Sequence, residues 1–308
     1  MTEIKRALMF VNSHKPEASL LVEELRAELD RLNIEALAYP GGAADMPATD
    51  VPAADMPAAE NAVSALKTLP DLAFCLGGDG TVLFAARMIA PLGVPIFPIN
   101  IGTLGFIAVV HPDQWREVFE EWRRGRVGVS RRMMLDITVE RRSTNAVTAC
   151  CLNDAVVSAS GIAKLIRLEV SSTGGALDGK TMSLGRYRSD GLIVATPTGS
   201  TAYSVAAGGP ILDPEIDALI INPICPFTLS NRPIVVPACE TIIVEVEAEQ
   251  RGAVLLTVDG QESFPLEPGD RVFIRKTSYA AKIVASGRRG FYRALQTKLN
   301  WSGGSPNA

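Results

Sequence analysis

The chain is poor in the residues from which metal sites and disulfide frameworks are built. It has only two histidines, His14 and His111, among 308 residues, which excludes a histidine-rich metal centre. The five cysteines form no C-x-x-C pair, and all but Cys239 lie in or beside apolar sequence. An odd number of thiols in apolar surroundings predicts buried, unpaired cysteines and a reducing, cytoplasmic location.

Long apolar runs and an excess of basic residues are also missing. No apolar run approaches the ~20 residues that span a bilayer, and the apolar stretch near the N-terminus is too short for a signal peptide. The net charge is −4, whereas sequence-independent nucleic-acid binding needs many phosphate-facing Lys and Arg side chains. We therefore expect neither a membrane nor a nucleic acid as partner.

Residues 1–128 alternate strand and helix patterns. Strands are predicted at 7–12, 35–39, 72–76 and 95–100, and helices at 16–32, 59–69, 81–90 and 111–125. This alternation predicts an open parallel sheet covered by helices, a Rossmann-like α/β domain. The segment 41–60 repeats AADMPA and is rich in Ala, Pro and Asp, which predicts a flexible loop, with a lid over a site as the alternative.

The pattern changes after residue 128. Short, partly alternating apolar runs separated by turn signals such as EPGD (267–270) fill residues 129–288 and predict a mostly-β second domain. Residues 291–301 follow as a helix that we expect to dock back on the first domain.

The stretch GGALDGKT (174–181) satisfies the P-loop pattern G-x-x-x-x-G-K-[ST]. A P-loop needs a helix directly after it, but MSLGRYRSDG follows, with two glycines and no helical apolar stripe. A β-hairpin turn is the better interpretation of this stretch.

The stretch FCLGGDGT (74–81) has the context that the P-loop look-alike lacks. Its glycines follow a predicted strand and precede a predicted helix, and ligands of open α/β sheets bind at such places. Gly77, Gly78 and Thr81 are candidates for a loop that approaches phosphate. Asp79 is unexpected beside a phosphate, and helix capping is one alternative explanation for it.

Three later motifs also carry polar groups. Asn153-Asp154 offers an amide for a base edge and a carboxylate for two ribose hydroxyls, with a strand-end turn as the alternative. In SDGLIVATPTGSTAY (189–203), more hydroxyl residues surround the turn than helix capping requires, which predicts a polar pocket wall. Gln261 in VDGQ is a candidate nucleotide contact or part of a plain hairpin turn.

In this order, GGDGT, NIGTLGF (100–106), LNDAVVS (152–158), TPTGSTAY and VDGQ resemble the bacterial NAD kinases over roughly residues 70–300. The segment 41–60 departs from that pattern. The resemblance implies the two-domain fold described above, a second domain that binds a dinucleotide, and Asp79 as the catalytic residue. It implies nucleotide contacts at Asp79, Gly80, Asn153, Asp154, Lys164, Arg188, Asp190, Thr201, Ala202, Tyr203, Ser204, Val205, Ala206 and Gln261.

The reaction that the resemblance implies is transfer of the γ-phosphoryl of ATP to the 2′-hydroxyl of the adenosine ribose of NAD. Asp79 would accept the hydroxyl proton, and the glycine-rich loop and a Mg²⁺ carried with ATP would stabilise the phosphates. No dedicated protein site for the metal is expected. Arg188 resembles the residue found in NAD-selective, ATP-using members. The family also implies a homodimer or homotetramer.

Two alternatives remain open at this level. A diacylglycerol-type lipid kinase shares GGDGT and a β-rich second domain, although TPTGSTAY is closer to the NAD kinases. A non-catalytic NAD-binding protein would keep Asn153, Asp154 and Tyr203 without needing an acid at position 79.

Overall fold

The computed structural model describes residues 3–12, 14–15, 17–38, 69–141, 146–161, 165–174, 180–228, 230–250 and 252–299. The described residues form two compact units. One contains the described residues up to Arg132 and those from Tyr279 onward, and the other extends from Met133 to Ser278. The segment 41–60, most of the predicted helix 59–69 and Lys164 lie outside the described residues. The domain limits at residues 128 and 288 stay predictions.

The first unit is built on a parallel sheet. Its strands are β1 (Arg6–Val11), β2 (Glu35–Ala38), β3 (Leu72–Gly77) and β4 (Pro95–Asn100), in the order β2-β1-β3-β4. Its helices are α1 (Glu17–Arg31), α2 (Asp79–Ile89), α3 (Trp115–Arg123) and, near the end of the chain, α5 (Arg288–Leu299). A short 3₁₀ turn, Ala90–Leu92, follows α2.

Helices pack on this sheet through apolar faces. The apolar face of α1 is buried at Leu21, Leu25 and Leu29, which lie four residues apart on one side of the helix. Phe74 of β3 meets Phe119 of α3 with ring centroids 5.3 Å apart in an edge-on arrangement, the geometry that aromatic pairs favour. Both faces of β3 are buried, as expected of a strand in a helix-covered parallel sheet.

The second unit is mostly β. Its strands are β5 (Val129–Glu140), β6 (Val147–Cys151), β7 (Asp154–Ala159), β8 (Ile166–Gly174), β9 (Thr181–Ser189), β10 (Gly191–Ala195), β11 (Ala218–Ile224), β12 (Ile234–Pro237), β13 (Glu240–Val246), β14 (Val254–Val258), β15 (Glu262–Leu266) and β16 (Arg271–Val284). Strands β5 and β16 each continue into residues of the first unit. A single-turn helix, α4 (Tyr203–Ala206), follows a 3₁₀ turn at Gly199–Thr201.

Two groups of antiparallel strands form this unit. One has the order β12-β11-β10-β7-β14-β15, and the other includes β13, β8 and β9. Alternate residues of both groups are buried in one apolar core that includes Val157, Leu168, Val194 and Val244. In β8 burial alternates residue by residue, as in a strand with one face on the core. The predicted α/β unit and mostly-β unit are thus confirmed.

Two local expectations had different outcomes. Residues 173 and 181 pair across antiparallel β8 and β9, so the P-loop look-alike joins two strands and no helix follows it, as predicted. The prediction of buried cysteines is wrong for Cys225, which is exposed together with Cys239. Cys225 adopts a positive φ of 44° directly after β11, where the chain leaves the sheet.

Among the described residues, none of the helices has the length and apolarity required to cross a bilayer.

Candidate functional site

Asp79 is the first residue of α2, directly after the buried strand β3, and its side chain is held by a neighbouring loop. Oδ2 accepts the backbone N–H of Phe106 at 2.8 Å, and Oδ1 accepts those of Ile107 and Ala108 at 3.1 and 2.8 Å. The residue that caps α2 is Gly78, and no side chain bonds to that cap. Capping of the helix therefore does not explain Asp79, whose carboxylate is fixed by the loop after β4.

Two glycines make this arrangement possible. A Cβ on Gly105 would overlap Oδ1 of Asp79 and lie 2.7 Å from its Cγ, so the loop can approach the carboxylate only without a side chain there. A Cβ on Gly77 would overlap the hydroxyl of Thr81 in the same way. Thr81 is buried, and its N–H donates to the Gly78 carbonyl at 3.1 Å within the first turn of α2.

The loop that holds Asp79 is itself supported. The ring of Phe106 lies 6.3 Å from that of Phe291 on α5, and the ammonium of Lys298 sits 5.0 Å above the Phe106 ring. At the start of the loop, Lys15 Nζ donates to the carbonyl of Ile101. A cationic side chain from the β1–α1 connection thus reaches the loop that fixes Asp79.

In the second unit a cavity of about 370 Å³ opens on the sheet at β7. Its polar and apolar lining residues are Asn153, Asp154, Val156, Ser158, Ala202, Tyr203, Thr257, Asp259 and Gly260. Residues 154, 156 and 158 alternate along β7 and therefore share one face, and Thr257 stands opposite Val156 on β14. The structure thus brings together four predicted contacts: Asn153, Asp154, Ala202 and Tyr203.

The Asn153–Asp154 turn is held by Asp259. One carboxylate oxygen, Oδ2, accepts the N–H of Leu152 at 3.0 Å, and Oδ1 accepts those of Asn153 and Asp154 at 2.7 and 3.3 Å. Asp259 is 7% exposed and has a φ of 51°, a conformation that few non-glycine residues adopt. Asn153 Oδ1 has no hydrogen-bond partner among the described residues. The turn thus carries a buried amide oxygen that forms no hydrogen bond within the described residues.

The TPTGSTAY segment closes on the same turn. Thr196 donates its N–H to the carbonyl of Asn153 at 2.8 Å and its hydroxyl to the carbonyl of Leu152 at 2.6 Å. A Cβ on Gly199 would overlap the Asn153 carbonyl oxygen, so this glycine permits backbone contact. The segment is therefore packed directly against the residues that line the cavity.

Most hydroxyls of the segment serve the backbone. Ser200 Oγ donates to the Pro197 carbonyl at 2.6 Å, and Thr201 Oγ1 to the Thr198 carbonyl at 3.2 Å. Ser204 is fully buried, and its carbonyl and hydroxyl both accept from Asn222 Nδ2. The segment thus contributes fewer side chains to the cavity wall than the number of its hydroxyl residues predicts. Of this segment, Ala202 and the half-exposed ring of Tyr203 line the cavity.

Burial and a neighbouring charge act on Asp154. Desolvation first, and the charge of Asp259 second, raise the pKa of Asp154 to about 7. Because Asp259 receives three backbone N–H bonds, which favour its charged form, the proton shared by this pair belongs on Asp154.

Other predicted contacts lie away from the cavity lining. Arg188 is exposed on β9 with its guanidinium 5.0 Å from the ring centroid of Phe227, and Asp190 bonds through its backbone to Ile224 and Ala159. Gln261 closes the β14–β15 turn by donating its N–H to Val258 at 2.9 Å. Thr201, Ser204, Val205 and Ala206 follow Gly199 without lining the cavity, and Gly80 is exposed in the first turn of α2.

Sequence reasoning missed Asp259, the N–H groups of residues 106–108, and Lys15. The VDGQ motif was selected for Gln261 as a candidate nucleotide contact and not for Asp259. The available signal was the pair Asp259-Gly260, a turn sequence directly after a strand. In the described part of the chain, no group of three or more His, Cys, Asp or Glu side chains could hold a metal ion.

The two units, one with a glycine-rich turn at the carboxyl end of a parallel strand and one with an amide- and carboxyl-lined cavity, have the features of a nucleotide-binding protein. Comparisons with known proteins define it further. Residues 9–127 match the model of the ATP-NAD kinase N-terminal domain, and residues 152–286 match that of the ATP-NAD kinase C-terminal domain. The chain belongs to the NAD kinase family.

Individual relatives agree with this assignment. The chain is 39% identical over 303 residues to the NAD kinase of Treponema denticola, covering 98% of each chain. It is similar to the crystal structure of yeast NADH kinase complexed with NADH, with a TM-score of 0.83, 25% identity, and coverage of 100% of this chain and 91% of that one. It is also similar to the crystal structure of an NAD kinase from Archaeoglobus fulgidus in complex with ATP. The TM-score is 0.67 at 26% identity, with coverage of 96% of this chain and 98% of that one.

Proposed function

We propose that this chain transfers the γ-phosphoryl group of ATP to the 2′-hydroxyl of the adenosine ribose of NAD, forming NADP. Membership of the NAD kinase family supports this acceptor over a lipid. The observation that carries the mechanism is the carboxylate of Asp79, held by three backbone N–H groups at the start of α2. Phosphoryl transfer depends mainly on such positioning and on charge stabilisation.

Asp79 is assigned as the acceptor of the hydroxyl proton. A carboxylate oxygen offers about two lone-pair positions. Oδ1 already accepts two N–H groups, from Ile107 and Ala108, whereas Oδ2 accepts only that of Phe106. Oδ2 therefore keeps a position for the acceptor hydroxyl, and the three N–H bonds fix the direction in which it points.

The second unit supplies nucleotide recognition. The Asn153 amide can pair with a base edge, the Asp154 carboxylate can accept ribose hydroxyls, and the Tyr203 ring can pack on a base or ribose. The cavity of about 370 Å³ lies in the range of small-molecule sites. Thr201, Ser204, Val205, Ala206, Arg188, Asp190, Gln261 and Lys164 remain proposed contacts on the family resemblance.

The phosphoryl donor is ATP with a divalent cation such as Mg²⁺, which enters with the substrate phosphates and lowers their charge. Gly77, Gly78 and Thr81 form the turn that we assign to the approach of the phosphates. Lys15, placed at Ile101 beside the loop that holds Asp79, adds a positive charge in the same unit. We also propose a homodimer or homotetramer in the cytoplasm.

An acceptor panel tests the proposal. The purified protein is incubated with Mg-ATP and, separately, with NAD, NADH or vesicles containing diacylglycerol, and the products are separated and identified. We expect NADP from NAD and no phosphorylated lipid. Phosphorylation of the lipid with no NADP would contradict the proposed function. Replacing ATP by polyphosphate in the same assay defines the donor range, and light scattering of the same sample gives the oligomeric state.

A further inference from the structure

Asp259 has no role in the proposed chemistry, yet its environment is specialised. It is buried, it adopts a left-handed backbone conformation, and both of its carboxylate oxygens are used by the backbone N–H groups of Leu152, Asn153 and Asp154. Asp259 and Gly260 both have positive φ and the N–H of Gln261 donates to the Val258 carbonyl, the pattern of a hairpin turn with two central residues that favours Asp-Gly. The hairpin therefore accounts for the backbone conformation, and the three bonds to the carboxylate are additional contacts. The group that these contacts serve is the Asn153–Asp154 turn.

Asp259 also lines the cavity with Asp154, so two carboxyl groups share one buried space. Two such groups do not both ionise easily, and the group with more hydrogen-bond donors keeps the negative charge. Asp259 has three donors from the backbone. Asp154, 4% exposed, therefore holds the proton when the cavity contains no nucleotide.

Among the described residues, the two strands paired with β7 and the turn that contacts its first residues carry no other charged group. The facing strands β10 (Gly191–Ala195) and β14 (Val254–Val258) and the turn at residues 196–202 contain no ionisable side chain. The remaining ionisable lining group is the phenol of Tyr203. Asp190 precedes β10 at the end opposite Asp154, since Ala195 pairs with Asp154 and Gly191 with Ser158.

We infer that Asp259 is a positioning residue that holds the Asn153–Asp154 turn and couples nucleotide binding at Asp154 to the release of one proton. This rests on the proposed function, in which Asp154 accepts ribose hydroxyls. Two hydroxyl donors favour the carboxylate over the acid, so the proton of Asp154 passes to the solvent on binding. The raised pKa of Asp154 agrees with this assignment.

The test measures proton release when NAD binds. Calorimetric titrations of the full chain with NAD are run at pH 6 and pH 8.5, each in two buffers that differ in ionisation enthalpy. We expect release approaching one proton at pH 6, where Asp154 is protonated, and almost none at pH 8.5. Asp259→Asn should reduce the release at pH 6 by more than half and weaken NAD binding at least tenfold, because the charge and one of the two oxygens that accept backbone N–H groups are lost.

Two further variants distinguish the effect of the Asp259 charge on proton release from the effect of a general structural change. Asp270→Asn is the matched control, because Asp270 is another buried aspartate at a turn, accepts the N–H of Glu267 at 2.9 Å, and lies outside the cavity lining. It should release as many protons as the unmodified chain. Asp259→Glu keeps the charge on a longer side chain, so it should retain proton release while binding NAD more weakly.

Several outcomes would overturn the inference. One is that Asp259→Asn and the unmodified chain release the same number of protons when NAD binds. Another is that the unmodified chain releases no proton at pH 6. If Asp259→Asn does not fold, Asp154→Asn serves instead and must abolish the release. If the unmodified chain does not bind NAD, the proposed function fails. In that case the titration of Asp154 by carboxyl NMR, expected near pH 7 and lower in Asp259→Asn, still tests the pairing.

Discussion

Asp79 in the first unit and Asp259 in the second are held in the same way and used differently. Each carboxylate accepts three backbone N–H groups from a single short segment, residues 106–108 for Asp79 and residues 152–154 for Asp259. Asp79 is half-buried, whereas Asp259 is 7% exposed. A loop fixes the carboxylate in the first case, and in the second a carboxylate fixes a loop.

Three backbone hydrogen bonds have a different effect on each of these two carboxylates. Around Asp79 the bonds orient a reactive oxygen, Oδ2, which keeps a position for substrate. Around Asp259 the bonds occupy both carboxylate oxygens and orient the neighbouring residues Asn153 and Asp154. Substitutions that disturb Asp79 should therefore lower turnover, and substitutions that disturb Asp259 or Asp154 should change nucleotide binding and stability.

The largest effect is expected from Asp79→Asn. The amide cannot accept the proton, and its NH₂ replaces an oxygen that accepts at least one backbone N–H, so turnover should fall about 10²–10⁴-fold with the dissociation constant of NAD changed by less than threefold. Steady-state rates of NADP formation and calorimetry with NAD measure the two quantities. A large loss of NAD affinity with normal turnover would place Asp79 with the binding residues instead.

Gly105→Ala should lower turnover about 10²-fold, because its Cβ would overlap Asp79 Oδ1 and push the carboxylate from its position. Gly128→Ala is the matched control, since a Cβ there meets no atom within 4 Å, and it should be as active as the unmodified chain. The same steady-state assay checks both variants. Equal activity of the two would show that the loop does not constrain Asp79.

Asp154→Asn should stabilise the chain at high pH. The pKa of Asp154 rises from 3.8 in the unfolded chain to about 7 in the folded one, so the folded state binds the extra proton. Stability from this group therefore falls as pH rises between these values, and the loss is complete above pH 7. The variant should gain about 4 kcal/mol in the free energy of unfolding at pH 8 and little at pH 4.

Urea unfolding at the two pH values measures that difference. An equal gain at pH 4 and pH 8 would show that the effect does not come from the proton on Asp154. NAD binding should weaken in the same variant at both pH values, because the acceptor for the ribose hydroxyls is lost.

Lys15→Met should have the smallest effect, raising the KM for ATP about tenfold, the worth of one charge-assisted hydrogen bond of ~1.5 kcal/mol. Its KM for NAD should not change. Lys5→Met is the control, because Lys5 is exposed, pairs with Glu3 and directly precedes the amino end of β1. Unchanged KM values for ATP in both variants would remove Lys15 from the donor site.

The strand that leads to Asp79 was predictable because its signals are local. An apolar run, two glycines and a helical stripe follow one another within residues 72–90, so β3, the turn and α2 could be placed from the sequence. The partners of Asp79 could not, because backbone N–H groups 27 to 29 residues away carry no residue-type signal. Gly77 leaves room for the side chain of Thr81, whereas the approach of this loop to phosphate stays a prediction.

The second unit was harder to predict for the same reason. Asn153 and Asp154 could be selected by residue type, but their support by Asp259 joins residues more than 100 positions apart. The sequence predicts more hydroxyls in the pocket wall than the structure places there. Ser and Thr hydroxyls in a compact turn can donate to backbone carbonyls instead, as those of Ser200 and Thr201 do. Residue type alone does not distinguish such bonds from a pocket wall.

The most direct test of the account is the fate of a labelled phosphate. The protein is incubated with ATP labelled in the γ-phosphoryl group, Mg²⁺ and NAD, and the dinucleotide product is purified and supplied to an NADP-dependent dehydrogenase. We predict that the label appears in a dinucleotide that this enzyme reduces, which requires a phosphate at the 2′-position. Label released only as inorganic phosphate, with NAD recovered unchanged, would contradict the account.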